Sequence, residues 1–139
     1  MQRTALVVGV TGIGGNHVAR ELLAHGWNVI GLSRRPPRDL PDVRHVAADL
    51  LDPQALSSAL ADVAPTHVFI TTWMRQDTEA DNIRVNAALV RNLLDALSPR
   101  KSVRHVALVT GLKHYLGAFE AYAKSGTLPD TPLRESQPG

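Results

Sequence analysis

The stretch formed by residues 5–19 constrains the fold of this chain more than any other part of its sequence. It opens with an apolar run at residues 5–8, which suits a strand buried on both faces of a parallel sheet. Glycines then follow at three-residue spacing: Gly9, Gly12 and Gly15. An amphipathic helix pattern begins near Ile13. A strand, a glycine turn and a helix N-terminus together predict a pyrophosphate site, because glycine lets the backbone approach the phosphates and the helix end offers N–H groups.

The end of the second predicted strand indicates which dinucleotide would bind. Residues 27–32 predict a strand, and Ser33, Arg34 and Arg35 follow it where a dinucleotide fold faces the adenosine ribose. An acid at this position binds the 2′-hydroxyl of NAD, whereas arginine pairs with the 2′-phosphate of NADP. Two adjacent arginines without an acid favour NADP over NAD. The alternative is that both belong to a solvated basic loop.

The rest of the chain alternates between helix and strand patterns. Predicted helices cover residues 13–25, 53–63 and 78–97, and predicted strands cover residues 5–8, 27–32, 43–48, 67–71 and 103–109. Gly26 would stop the first helix. Alternation without internal repeats predicts an α/β fold with a doubly wound parallel sheet of the dinucleotide-binding (Rossmann) type, in strand order 3-2-1-4-5.

Polar residues follow the third and fourth predicted strands. Asp49 could accept a hydrogen bond from the adenine amino group, or it could only cap a turn before the helix that begins near Pro53. Thr72 and Trp73 lie just past the fourth strand, where open α/β sheets bind ligands. Asn86, inside the long helix, is interpreted as an exposed polar position. The apolar positions taken for that helix are Ile83, Ala87, Val90, Leu94 and Leu97.

Composition excludes several classes of protein. The 139 residues are 44% hydrophobic and 20% charged, which suits one globular core. A formal net charge of +2 is too small to indicate a nucleic-acid partner. The absence of cysteine excludes disulfides and thiolate chemistry, and the histidines show no metal-ligand spacing. No apolar run could span a membrane and no secretory signal precedes the first strand, so we expect a cytoplasmic protein without a bound metal.

The pattern changes after Thr110. Residues 111–119 predict a loop at the carboxyl edge of the fifth strand, and residues 125–139 contain three prolines and no periodicity. We therefore expect residues 1–124 to form the N-terminal portion of the dinucleotide-binding domain and residues 125–139 to form an extended segment. A dinucleotide fold needs a sixth strand and a substrate region, so we expect the sheet to be incomplete at the C-terminus and the chain to be part of a longer protein.

Several stretches carry a more specific signal than the glycine turn. They read ALVVGVTGIGGNHVA, GLSRRP, THVFITTW, LVTGLKHYLGAFEAYAK and PDTPLRESQP. Together they resemble the progesterone 5β-reductase and iridoid synthase family, atypical members of the extended short-chain dehydrogenases/reductases. The resemblance implies an NADP(H)-dependent oxidoreductase that moves hydride to the β-carbon of a small-molecule enone, or to a related carbonyl, and it leaves a homodimer open.

The same resemblance assigns roles to individual residues. It implies that Thr11, Gly12 and Ile13 contact the pyrophosphate, Arg34 and Arg35 the 2′-phosphate, Asp49 and Leu50 the adenine, and Thr72 and Val109 the cofactor along the strand edge. Lys113 matches the family's catalytic lysine. The family's catalytic tyrosine lies beyond Gly139, so we expect the 139-residue chain alone to be inactive.

Other residues of this region receive structural roles. His114 and Tyr115 are interpreted as bonding and packing residues, and Tyr122 as a packing residue, because Lys124 follows it at the wrong spacing for a Tyr-x-x-x-Lys pair. A different class of function stays open. Related folds that keep the glycine turn and lose the active site act as non-catalytic NADP-sensing regulators. Lys113 in its motif favours an enzyme.

Overall fold

The computed structural model of the chain describes residues 2–111 and 134–136. The chain separates into two units, residues 1–109 and residues 110–139. In the second unit the described residues include a turn at Glu135 and Ser136. The first unit contains the following elements: β1 (Thr4–Val8), α1 (Ile13–Ala24), β2 (Asn28–Ser33), β3 (Arg44–Ala47), α2 (Pro53–Ala59), β4 (His67–Ile70), α3 (Glu79–Leu97), a 3₁₀ turn (Ser98–Arg100) and β5 (His105–Leu108).

The described strands form one parallel sheet in the order β3-β2-β1-β4-β5. The predicted doubly wound parallel sheet and its strand order are therefore confirmed. The order reverses between β1 and β4, so the connections leave these two neighbouring strands toward opposite faces of the sheet. The carboxyl ends of β1 and β4 consequently border a crevice, which is where open α/β sheets bind ligands.

The centre of the sheet is buried on both faces, which explains the unbroken apolar run at its start. Leu6 and Val8 point into a core formed with α2 and α3. Val7 points the other way, into a smaller core that contains Ala19 of α1 and Val43. Alternate side chains of β1 thus supply two cores, and the side chains from Ala5 to Val8 are 0% exposed.

Local signals set most helix ends. Gly26 has a φ of 74° and follows the last turn of α1, as predicted. Asp52 caps α2 by accepting a hydrogen bond from Ala55 N–H, and Thr78 caps α3 through Asp81 N–H. The predicted end of the second helix at residue 63 is wrong. α2 stops at Ala59, because tight turns and then Pro65 lead the chain into β4.

The buried face of α3 agrees only in part with the apolar positions taken from the sequence: Leu97 is buried, and Val90 is half-buried against the larger core. Ile83 and Leu94 are 65% and 40% exposed, and Ala87 is also exposed. The buried residues are Val85, Leu89, Leu93, Ala96 and Leu97. The helix carries two rows of apolar residues at helical spacing. Packing against α2 and the sheet determines which of these rows is buried. Among the residues that the structure describes, no helix is both long and apolar enough to cross a membrane.

Candidate nucleotide-binding site

The glycine turn leads directly into the N-terminus of α1. Gly9 has a φ of 86°, and Gly12 N–H donates a 3.0 Å hydrogen bond to Gly9 O, which closes the turn. Gly12 is the N-cap of α1 and no side chain caps this helix end. The first turn of α1 contains no acidic residue. Its N–H groups, which lack intrahelical acceptors, are therefore suited to bind an anion such as a pyrophosphate.

The three glycines of the turn play different structural roles. A β-carbon on Gly9 would lie 2.9 Å from Thr72 Cβ, and one on Gly15 would lie 2.1 Å from Gly9 O. A β-carbon on Gly12 would meet only Gly9 O, at 3.4 Å, which is an ordinary contact. The fold therefore requires Gly9 and Gly15, whereas Gly12 leaves space at the helix N-terminus for a ligand to approach.

The turn after β2 holds the two predicted arginines at the edge of a cleft. Ser33 Oγ donates a 2.5 Å hydrogen bond to Arg35 O and lies 3.0 Å from His45 Nε2 on β3. Arg34 and Arg35 are exposed, and together with Thr11 they line a cleft of about 460 Å³. Ser33 is buried and stabilises this turn. The predicted arginine pair and the predicted glycine turn therefore border the same space.

A polar cluster that the sequence analysis missed ties the arginine loop to α1. Asp39 accepts a 3.1 Å hydrogen bond from Asn16 Nδ2 and forms an ion pair with Arg20, whose Nε donates to Asn16 Oδ1 at 2.8 Å. The hydrogen bond from Asn16, followed by that from Arg20, holds the pKa of Asp39 below its ordinary value. A cleft of about 520 Å³ is lined by two of these residues, Asn16 and Asp39, together with Arg35, Gly12 and Ile13. Arg20 lies beside this cleft, bonded to Asn16. The only sequence signal for this cluster was one acid in an otherwise basic loop.

A third cleft, of about 160 Å³, collects most of the remaining predicted residues. Those that line it are Gly9, Thr11, Ser33, Arg34, Asp49, Leu50 and Thr72. Trp73 and Met74 also line it. We call it the ribose–adenine cleft, because the sequence analysis predicted that Arg34, Asp49 and Leu50, which line it, bind the adenosine end of the nucleotide. Thr11 borders all three clefts, so the predicted site residues converge around it.

Of the two roles that the position of Asp49 allowed, the structure shows the cap of a turn, and the bond to adenine stays a prediction. Asp49 Oδ1 accepts a 2.9 Å hydrogen bond from Leu51 N–H, so the residue does cap a local turn. Asp52, and not Asp49, caps α2. Asp49 is nevertheless exposed and borders the ribose–adenine cleft. A carboxylate has lone pairs for more than one donor, so the turn leaves it able to accept a bond from an adenine amino group.

The interpretation of Asn86 as an exposed polar position is wrong. Asn86 is half-buried, and its Oδ1 accepts a 2.8 Å hydrogen bond from Met74 N–H. Its Nδ2 donates to Met74 O and to Asn82 O, both at 2.8 Å. The side chain therefore connects α3 to the loop between β4 and α3, and this loop supplies Thr72, Trp73 and Met74 to the cleft.

Two further predicted residues lie at or beyond the end of β5. Val109 directly follows β5, is 59% exposed, and donates a 2.9 Å backbone hydrogen bond to Ile70 O at the end of β4. Its predicted contact with the cofactor stays a prediction. Lys113 lies outside the described residues, as do His114, Tyr115 and Tyr122.

The fold and the clefts define a dinucleotide-binding protein of the Rossmann type, and the sequence comparisons place it in a family. The chain belongs to the NAD dependent epimerase/dehydratase family, which it matches over residues 5–138. It is 39% identical to an (S)-8-oxocitronellyl enol synthase of Nepeta cataria, over 99% of this chain and 37% of that protein. It is 36% identical to a 3-oxo-Δ(4,5)-steroid 5β-reductase of Arabidopsis thaliana, over the same shares.

These relatives confirm the resemblance that the sequence motifs indicated, and the chain spans 37% of their length. Solved structures confirm the fold. A short-chain dehydrogenase/reductase superfamily protein from Agrobacterium tumefaciens with bound NAD is 27% identical, with a TM-score of 0.72, over 98% of this chain and 38% of that one. A Thermus thermophilus UDP-glucose 4-epimerase in complex with NAD is 25% identical, with a TM-score of 0.64, over 73% and 36%.

Proposed function

We propose that this chain is the cofactor-binding part of an NADPH-dependent reductase that transfers hydride to an enone or to a related carbonyl. The observation that carries the proposal is the convergence of the glycine turn and the Arg34–Arg35 turn on adjoining clefts, with no acid directly after β2. The relatives support the reaction class, because their names describe a steroid 5β-reductase and enol synthases.

The described residues fit the proposed cofactor. The open N-terminus of α1 at Gly12 and Ile13 would hold the pyrophosphate, because a β-carbon is absent where the phosphates must approach. Arg34 and Arg35 would bind the 2′-phosphate with charge-assisted hydrogen bonds. Asp49 would accept a hydrogen bond from the adenine amino group. When bound, the cofactor supplies the hydride for the reduction.

Lys113 is the proposed catalytic residue of this chain. Hydride addition to the β-carbon of an enone leaves negative charge on the carbonyl oxygen, and an ammonium group near that oxygen stabilises the charge. A phenol donates the proton or hydrogen bond that the oxygen requires. The structural relatives and the reductases both extend well beyond the matched part, and we propose that this phenol comes from such a region.

Cofactor titration of an arginine variant tests the proposal. In Arg34→Ala/Arg35→Ala, NADPH binding should weaken by about 1.5–3 kcal/mol for each charged hydrogen bond lost. NADH binding should change little, because NADH carries no 2′-phosphate. Arg91→Ala, an exposed change on α3, is the matched control and should bind both cofactors as the unmodified chain does. An NADPH preference that survives the double change would contradict the assignment.

A further inference from the structure

Helix α3 bonds to the backbone of two loops that line the ribose–adenine cleft. Asn82 and Asn86 bond to the loop between β4 and α3, which we call the β4–α3 loop. Asn92 bonds to Leu50, in the loop that follows β3. We propose that Asn86 and Asn92 are positioning residues that preform this cleft for the adenosine part of the nucleotide. The proposal rests on the proposed function, since it takes that nucleotide as the ligand.

The β4–α3 loop depends on side chains for its conformation. The parallel ladder ends with Thr71 N–H, which donates to Val8 O at 3.0 Å. Within the described residues, no backbone–backbone hydrogen bond is made by residues 72–77. The backbone of this segment is held instead by Asn86, which pairs with both polar groups of Met74, and by Asn82 Oδ1, which accepts from Gln76 N–H at 2.6 Å.

The two hydrogen bonds between Asn86 and Met74 fix orientation as well as distance. An amide side chain that accepts from N–H and donates to C=O of one residue reproduces the pairing of a β-ladder. It therefore prevents rotation of the Met74 backbone, and with it rotation of the neighbouring Trp73 and Thr72. Thr72 in turn lies directly against the glycine turn, because its Cβ occupies the space beside Gly9.

Asn92 has the equivalent role on the other loop. Its Nδ2 donates a 2.8 Å hydrogen bond to Leu50 O, and Leu50 follows Asp49, the proposed adenine acceptor. The Leu50 side chain is only 6% exposed and packs in the larger core, so this residue has a fixed place from which Asp49 projects. One rigid helix thus sets the separation between Thr72 on one loop and Asp49 on the other.

Fixing two loops before binding raises affinity, because the ligand does not have to order them itself. Loss of either asparagine should therefore weaken NADPH binding by about tenfold, since each variant loses one or two neutral hydrogen bonds that hold the cleft.

The chain offers a local reporter for this test. It contains two tryptophans: Trp73 lies on the β4–α3 loop, whereas Trp27 is half-buried and packs against the smaller core. In a Trp27→Phe background, acrylamide quenching of fluorescence reports only on Trp73. Asn86→Ala should raise the quenching constant without nucleotide and weaken NADPH binding measured by calorimetry. Asn92→Ala should weaken NADPH binding and leave Trp73 quenching unchanged, because it holds the other loop.

Two further variants separate hydrogen bonding from side-chain volume and location. Asn86→Asp keeps the size and one acceptor but places a carboxylate oxygen against the carbonyls of Met74 and Asn82, so it should match Asn86→Ala. Asn28→Ala is the matched control, because Asn28 bonds to Gln2 at the amino edge of the sheet and should change neither readout. A merely structural asparagine would lower the melting temperature and leave both the NADPH Kd and the quenching constant unchanged.

Unchanged NADPH affinity in folded Asn86→Ala and Asn92→Ala overturns the proposal. If Asn86→Ala does not fold, Asn92→Ala decides the matter by the same affinity criterion. If the unmodified chain does not bind NADPH, the proposed function fails. The quenching constant of nucleotide-free Trp73 then still shows whether Asn86 holds the loop, and an unchanged value rejects that role.

Discussion

At Gly12 the fold would accept a side chain, whereas the proposed ligand requires that none be present. Its backbone has a φ of −76° and a ψ of 164°, which any residue adopts, and an added β-carbon meets only Gly9 O at 3.4 Å. We expect Gly12→Val to fold with nearly unchanged stability and to lose NADPH affinity by about tenfold or more, because the side chain would occupy the pyrophosphate position. Calorimetric titration and thermal melts measure the two effects. A folded variant with normal affinity would remove Gly12 from the site.

Asp39 provides a prediction for the dependence of stability on pH. Its pKa in the folded chain lies below the ordinary value of 3.8, chiefly through the hydrogen bond from Asn16 and then that from Arg20. The carboxylate therefore stabilises the fold above pH 3.8, and this contribution is lost as the pH falls through the lower, folded pKa. We expect Asp39→Asn to reduce the urea midpoint slightly at pH 7 and to converge with the unmodified chain at low pH.

The matched control for this titration is Asp95→Asn, an exposed change on α3. The difference in urea midpoint between Asp95→Asn and the unmodified chain should not disappear at low pH in the way expected for Asp39→Asn. The effect of Asp39→Asn should also shrink in high salt, since the carboxylate and the Arg20 side chain are both about half exposed to solvent. A difference between Asp39→Asn and the unmodified chain that stays constant from pH 7 to low pH would show that the ion pair does not contribute to stability.

Two adjacent glycines in the first turn of α1 have different surroundings, so substitutions there test how this helix packs against the glycine turn. A β-carbon on Gly14 would have no atom within 4 Å, whereas one on Gly15 would lie 2.1 Å from the carbonyl oxygen of Gly9. We expect Gly14→Ala to raise the free energy of unfolding by about 0.5–1 kcal/mol, through helix propensity and a less flexible unfolded chain. Gly15→Ala should lower it by more than that, because backbone must move. Urea denaturation measures both, and equal effects would contradict the packing described for the turn.

The elements also show what sequence patterns can and cannot predict. The strand at β1 was predictable because an unbroken apolar run followed by a glycine turn is a local signal. The strand order was predictable because alternating strand and helix patterns favour a doubly wound parallel sheet. The buried face of α3 was not, because Ile83 and Val85 belong to two rows of apolar residues of similar spacing. Only packing against α2 and the sheet decides between those rows.

The same distinction holds for the candidate site. The glycine turn and the arginine pair are recognisable because neighbouring residues carry the signal. The bond from Asn86 joins residues 12 positions apart, and the pair of Arg20 with Asp39 joins residues 19 positions apart. Such contacts depend on the path of a loop, and a polar residue in a helix or a loop gives no local indication of its partner.

At the scale of the whole molecule, the chain corresponds to 37% of its enol synthase and reductase relatives, so cofactor binding and turnover can be tested separately. Its own sequence contains no Tyr-x-x-x-Lys pair, since Tyr115 is followed four places on by Phe119 and Tyr122 by Gly126. We expect the 139-residue chain to bind NADPH and to leave it unoxidised when cyclohexenone is added. Stopped-flow absorbance of NADPH measures this. Robust turnover by the 139-residue chain would contradict the proposal that the reduction needs a phenol from a region outside it.

The last prediction concerns Lys113 in a longer protein that contains this chain. Lys113→Ala should lower turnover of cyclohexenone by about 10²–10³, the usual cost of losing one group that stabilises an oxyanion. NADPH affinity should change little, because the charge of the lysine acts mainly in the transition state. Lys124→Ala is the matched control, since this lysine lies nearby in sequence but outside the Lys113-His114-Tyr115 motif and should keep normal turnover. Loss of NADPH binding in Lys113→Ala would make Lys113 a cofactor ligand, and normal turnover would remove it from the mechanism.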